Sequence, residues 1–283
     1  MKRFLLTLLI LALVAALAAL VLAPVAIRQY RLSENAKVVN GYRNAVNRLS
    51  AEDCDAMLAQ AQEYNRSLGN AAWTDPYGPG SGESAPAGDS EARAALLNPS
   101  GNGVLAVLEV PKLGMSLAVY HGDEADASAA RVTHVAGSRL PSEGADGPCL
   151  LRATRDRFFN PFAGLDRLII GDCFFLRVMQ QTQTYEVFQV TRATPEALEA
   201  FHSTEGDEEC ALVAEANGMR LVVRGRRVSR QSVNPADDSR PLPSGVPELI
   251  LAAPVAAVGL ILLSIIEWVR RMARRGMRRR MKL

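Results

Sequence analysis

Residues 205–228, EGDEECALVAEANGMRLVVRGRRV, decide how this chain folds. Apolar side chains run along 210–214 and again, interrupted by Arg220, along 219–223, with Asn217-Gly218 between them. Two such runs joined by Asn-Gly specify a β-hairpin with a two-residue turn. The second strand ends in Arg224, Gly225, Arg226 and Arg227. The acids Asp207, Glu208 and Glu209 read as lying outside the buried part of the first strand.

Working outward, short apolar runs recur at 104–110, 116–120, 149–151, 174–178 and 185–190, separated by Gly, Pro and Asp. With 211–213 and 221–223 they predict a small closed or nearly closed barrel over 101–231. Residues 162–168 and 195–201 read as short helices in its connections. Upstream, 28–68 reads as a helical extension of two helices, broken just before Ser50, whose Ser-Ala-Glu-Asp start resembles an N-cap. Residues 69–100 are crowded with Pro, Gly and small polar side chains and are expected to form an exposed, mobile loop. Trp73 and Tyr77 interrupt it around Asp75-Pro76. Residues 232–247 hold five Pro or Gly and read as a linker.

Residues 4–27 are apolar and uncharged, behind Lys2 and Arg3, and 249–266 form a second apolar run. Each is long enough to cross about 30 Å of hydrocarbon as a helix of about 20 residues. The tail, 270–283, carries eight Lys or Arg and no acid. Positive charge of that kind marks the cytoplasmic side. The expectation is a two-pass plasma-membrane protein: an anchor over 1–27, a second crossing over 248–269, both termini cytoplasmic, and the centre outside. The formal charge is +2, and removing the ten basic residues of Lys2, Arg3 and the tail leaves −8 for the remainder. That balance argues against nucleic acid and for anionic head groups beside the tail. The four cysteines follow no Cys-x-x-Cys spacing and the three histidines are scattered, so neither a metal nor a cofactor is expected.

In order and spacing the chain resembles the class C, pilin-polymerising sortases of Gram-positive surfaces. The resemblance is carried by Tyr64-Asn65-Arg66-Ser67-Leu68, then Asp75-Pro76-Tyr77, VLAVLEVPKLGMSLAVYHG (104–122), THVAGSRLP (133–141), GLDRLIIGDCFFL (164–176) and RLVVRGRR (220–227). It implies a mostly β fold: an eight-stranded sortase-like barrel with short connecting helices, an N-terminal helical extension and a transmembrane helix at each end. It also implies a lid bearing Trp73, Asp75 and Tyr77. Active members use a cysteine thiolate, a proton-exchanging histidine and an arginine near the developing oxyanion.

Carried across position by position, those roles are mostly replaced. The segment that should read T-x-S-V-L-T-G-H-R-G is here 147–156, so Thr154 stands at the histidine position, or Ala153 with a one-residue shift. Glu215 stands where T-L-V-T-C places the cysteine, and the loop behind it is about four residues short. Arg220 is retained. Cys210, ten residues before Arg220 where the family has nine, is the alternative nucleophile, although its acidic neighbours should raise its pKa. The resemblance also implies that Cys149 and Cys210 lie on neighbouring parallel strands, as a disulfide or as packed thiols. His134 matches a non-catalytic histidine, His121 a structural turn, and His202 no role. Glu215 and Arg220 are expected to form an ion pair. The resemblance, in which the lid aspartate and its aromatic neighbour cover the cysteine, also implies Asp75 bonded to Arg220 and Tyr77 filling the space left by the thiol.

The resulting expectation is an inactive scaffold or regulator in pilus assembly or surface-protein anchoring, whose partners are a pilin or sorting-signal peptide, an active sortase and the membrane. Two alternatives stay open: an active cysteine transpeptidase with a relocated nucleophile, and a purely structural surface protein.

Overall fold

The computed structural model describes residues 2–69, 73, 75–78, 90–122, 130–144, 147–154, 159–198, 201 and 208–228, apart from some side chains near the N-terminus. The chain divides into two units, Met1–Ser33 with Pro243–Leu283, and Glu34–Leu242. In the first, the described residues are helical and begin α1 (Lys2–Val46). Among the described residues no helix is long and apolar enough to cross a membrane. The stretch 4–27 is described only in part. The linker 232–247, the second expected crossing, the basic tail and His202 lie outside the described residues.

In the second unit, α1 gives way to α2 (Ala51–Ser67) at the expected break. Ser50 takes an extended conformation and its hydroxyl accepts the Asp53 amide at 3.0 Å, with Glu52 and Asp53 in the first turn. Asn65 on α2 is buried. Its amide group donates to the Leu140 carbonyl (2.9 Å) and accepts the Leu140 N–H (2.8 Å), docking the helix on the chain ahead of β4. The Tyr42 hydroxyl bridges the Leu105 carbonyl and the Met179 amide, tying α1 to the barrel.

Among the described residues, eight strands close a barrel in the order β1-β2-β3-β4-β7-β8-β6-β5. They are β1 (Val104–Val110), β2 (Met115–His121), β3 (Val132–His134), β4 (Gly147–Ala153), β5 (Cys173–Val178), β6 (Gln181–Ala193), β7 (Glu208–Ala216) and β8 (Met219–Arg227). Closure leaves no sheet edge exposed. The β2–β3 and β4–β7 pairs are parallel and the others antiparallel. The deciding hairpin has Ala216 opposite Met219. Asn217 (φ 54°) and Gly218 (φ 77°) between them have the two positive φ angles of the turn that suits strand twist.

Alternation sorts the side chains of β7. Cys210, Leu212 and Ala214 enter the main core with Cys149, Leu151, Phe174 and Tyr185. Ala211 and Val213 face the other way, into a smaller core with Leu150, Val222 and Trp73.

Several local expectations are corrected. β3 (Val132–His134) is not among the expected apolar runs. Residues 162–168 form turns and one 3-10 helix, Leu165–Arg167, and α4 spans only Pro195–Leu198. The Pro/Gly-rich region contains a helix, α3 (Ser90–Ala95), and contributes buried Trp73 and Leu97. β7 starts at Glu208, so its acids are part of the barrel.

Candidate functional site

The parallel register of β4 and β7 pairs Arg152 with Val213. Thr154 and Glu215 each lie two residues further on, and Glu215 is directly opposite Arg220 on β8. Strand geometry thus brings Thr154, Glu215 and Arg220 to one end of the barrel.

Residues 75–78 lie over that end. Arg220 makes a two-pronged ion pair with Asp75, Nε to Oδ1 at 2.8 Å and Nη2 to Oδ2 at 2.9 Å. Both side chains retain only about a tenth of their exposure, whereas Glu215 is nearly half exposed and 3.8 Å from the guanidinium. The expected Glu215–Arg220 pairing is therefore secondary to Asp75–Arg220. Bonding to Asp75 raises the Arg220 pKa, with burial opposing.

Tyr77 lies under the same guanidinium, whose carbon is 4.9 Å from the ring centre. Its hydroxyl sits between the strand ends, 2.8 Å from the Ala153 carbonyl and 2.9 Å from the Val213 carbonyl, and accepts the Ala153 amide at 3.2 Å. Burial pushes the Tyr77 phenol up to about 12, against the opposing hydrogen bond to Ala153. The Arg152 guanidinium donates to the Pro76 carbonyl. The lid therefore fills the place between the ends of β4 and β7.

A second attachment lies at Trp73, which meets Phe201 edge-on at 5.3 Å between centroids. The Arg224 guanidinium stacks 5.0 Å over the Trp73 ring and is held in two-pronged fashion by buried Glu209 (2.5 and 2.9 Å). Arg152 and the Glu209–Arg224 pair were not singled out from sequence. Arg152 is two residues before Thr154 and Arg224 four after Arg220, so strand alternation alone places each on the same side as its predecessor.

The two sulfurs nearest in sequence face elsewhere. Cys149 and Cys210 are direct partners across β4 and β7, and each is an odd number of residues, five, from Thr154 and Glu215. Both are buried, and all four cysteines are free. Burial, followed by the contact with Cys149, pushes the Cys210 thiol well up. His134 is fully buried, with Nε2 2.9 Å from the Arg139 carbonyl and 3.1 Å from the Ser138 hydroxyl. Burial lowers its pKa to about 3, leaving a neutral ring. His121 Nε2 lies 2.7 Å from the Leu96 carbonyl. Among the described residues no group of three or more His, Cys, Asp or Glu is placed to hold a metal ion.

This end of the barrel thus presents a hydroxyl, two carboxylates and guanidinium groups. These can bind and orient polar or charged groups; a nucleophile–base pair needs a thiol or hydroxyl with a base in hydrogen-bond reach.

The sortase domain family model matches residues 108–228. A search of curated proteins found no match. Among solved structures, the barrel is similar to sortase C-1 of Actinomyces oris at 27% identity and TM-score 0.56, covering 63% of this chain and 99% of that one. Sortase C1 of Streptococcus agalactiae matches at 24% identity and TM-score 0.60, covering 69% and 100%. Sortase C of Streptococcus pneumoniae, described in terms of catalysis and pilin substrate specificity, matches at 20% and 0.57, covering 70% and 100%. Residues 108–228 thus match the sortase domain model, and the closed eight-stranded barrel has the fold of these class C sortase structures.

Proposed function

We propose that this sortase-like protein is anchored in the plasma membrane, faces the exterior, and does not catalyse transpeptidation. It serves pilus assembly or surface-protein anchoring as a scaffold or regulator, binding a pilin, another sorting-signal protein or an active sortase. One observation carries the reading. Glu215 and Thr154 occupy the strand ends beside Arg220, while Cys149 and Cys210 point into the main core. Thioacyl transfer needs a sulfur nucleophile, a proton acceptor and a donor to the tetrahedral oxygen, and loss of one member removes most of the benefit of the others. Arg220, the remaining member, already spends Nε and Nη2 on Asp75. Anchoring rests on the apolar runs at 4–27 and 249–266 and on the basic tail.

The test uses the full chain in membranes. Alkaline carbonate should leave it in the pellet. Photo-crosslinking from position 215 should then capture a pilin, a sorting-signal protein or an active sortase, without peptide cleavage. Cleavage of a sorting-signal peptide that disappears in Cys210→Ala would instead favour a relocated nucleophile. Crosslinking that captures none of these would favour a purely structural role.

A further inference from the structure

We propose that a polar cleft at the end of the barrel opposite the lid binds an oxyanion, the carboxylate or phosphate group of a polar ligand. The cleft has a volume of about 410 Å³ and lies between the last turns of α2 and the segment 139–144. Its walls all belong to the unit Glu34–Leu242, so the site stands whether or not the chain is anchored. Residues 139–144 lead into β4 at Gly147, whereas Thr154 follows Ala153, the last residue of that strand. A strand of seven residues is roughly 20 Å long, and that length separates the cleft from Thr154, Glu215 and Arg220.

The lining selects a polar occupant. Small-ligand sites of this size are mostly walled by apolar and aromatic side chains, but here α2 and the facing segment present only polar and charged ones. Charge then decides which kind of ligand fits. Arg139 sends two of its five N–H groups to the carbonyls of Asn65 and Gly69, at the end of α2. Its Nε is buried without a hydrogen-bond partner, and among the described residues no carboxylate pairs with it. The carbonyl end of a helix carries about half a negative charge, so this guanidinium is only about half neutralised. Arg66 adds a second one. It bonds Glu63, but the two are 68% and 72% exposed, and a pair so exposed contributes little and is readily exchanged. The lining carboxylate, Glu143, is already held by Arg227 at 2.7 Å. The Ser142 oxygen accepts the buried Asn65 amide at 2.9 Å, which leaves the hydroxyl proton for an acceptor. A cap for α2 requires Arg139 alone; it accounts for neither the cavity nor Arg66 and Ser142 on its walls.

The experiment titrates the full chain, in an uncharged detergent and at constant ionic strength, with succinate and with inorganic phosphate in a calorimeter. At least one probe should bind saturably, at one site per chain. Succinate alone assigns the anion to a carboxylate, phosphate alone to a phosphate, and binding of both leaves the site open to either group. Arg139→Gln and Arg66→Glu should each weaken binding at least about tenfold, because each removes a charged donor. Where Arg139→Gln fails to fold, because α2 loses its cap, Arg66→Glu decides alone, since its position is exposed. Absence of saturable binding with both probes overturns the site. Binding that keeps its full strength in either folded variant overturns it as well.

Discussion

Replacing Asp75 by alanine should free the lid, and the size of the effect follows from the lid contacts. The substitution removes two charge-assisted hydrogen bonds from a guanidinium that is nine-tenths buried. Each such bond contributes about 1.5–3 kcal/mol, and stranding one partner of a buried pair costs about 3–5 kcal/mol. Two effects reduce that cost. Glu215 stands 3.8 Å away and partly replaces the lost charge, and a lifted lid returns Arg220 to water. The Tyr77 hydroxyl and the Trp73 contacts remain. A net loss of about 3 kcal/mol in lid closure is expected, which raises the open population roughly hundredfold. Amide hydrogen exchange at Gly78 reads this directly, because its acceptor is the Asp75 backbone carbonyl at 3.1 Å, which alanine retains. Asp75→Asn, which keeps the shape and one acceptor, should give an intermediate rate. Unchanged Gly78 exchange in Asp75→Ala would show that the ion pair does not hold the lid.

Other outcomes follow from the same contacts. A Cβ at Gly225 would lie 2.5 Å from a Phe174 ring carbon and 3.0 Å from the Tyr185 Cβ, so Gly225→Ala should cost about 1–3 kcal/mol in denaturant unfolding, unless the Phe174–Tyr185 stack moves aside. Because burial lowers the His134 pKa from 6.5 to about 3, the unfolded chain binds the extra proton between those values. The stabilisation is complete above pH 6.5 and is lost as pH falls toward 3, at up to about 1.4 kcal/mol per pH unit, and His134→Gln should flatten that slope in urea titrations. In the native full chain, a cysteine introduced by Glu215→Cys should react with maleimide while Cys149 and Cys210 stay protected until denaturation. Equal labelling at 210 and 215 would contradict the sidedness of β7.

Much of the barrel was legible because its strands are short apolar runs between Gly, Pro and Asp, and its last hairpin carries Asn-Gly where two positive φ angles are needed. The three-residue β3 was not, because its pairing is set by neighbours far away in sequence. Glu209 looked too polar for a buried strand, yet Arg224, one strand across, donates two hydrogen bonds to its carboxylate. Likewise, 69–100 has the composition of an open loop, but three side chains, Trp73, Asp75 and Tyr77, find partners on β4, β7 and β8. Local composition cannot reveal partners 76 to 145 residues away. The side on which Cys210 lies was readable in advance: five residues from Glu215 along one strand is an odd step, and odd steps change face.

The most direct measurement is the intact mass of the full chain after incubation with a sorting-signal peptide, with and without hydroxylamine. The account predicts an unmodified chain and an uncleaved peptide at every lid state, including Asp75→Ala. A mass increase equal to the acylating fragment, released by hydroxylamine and mapped to any cysteine, would contradict it.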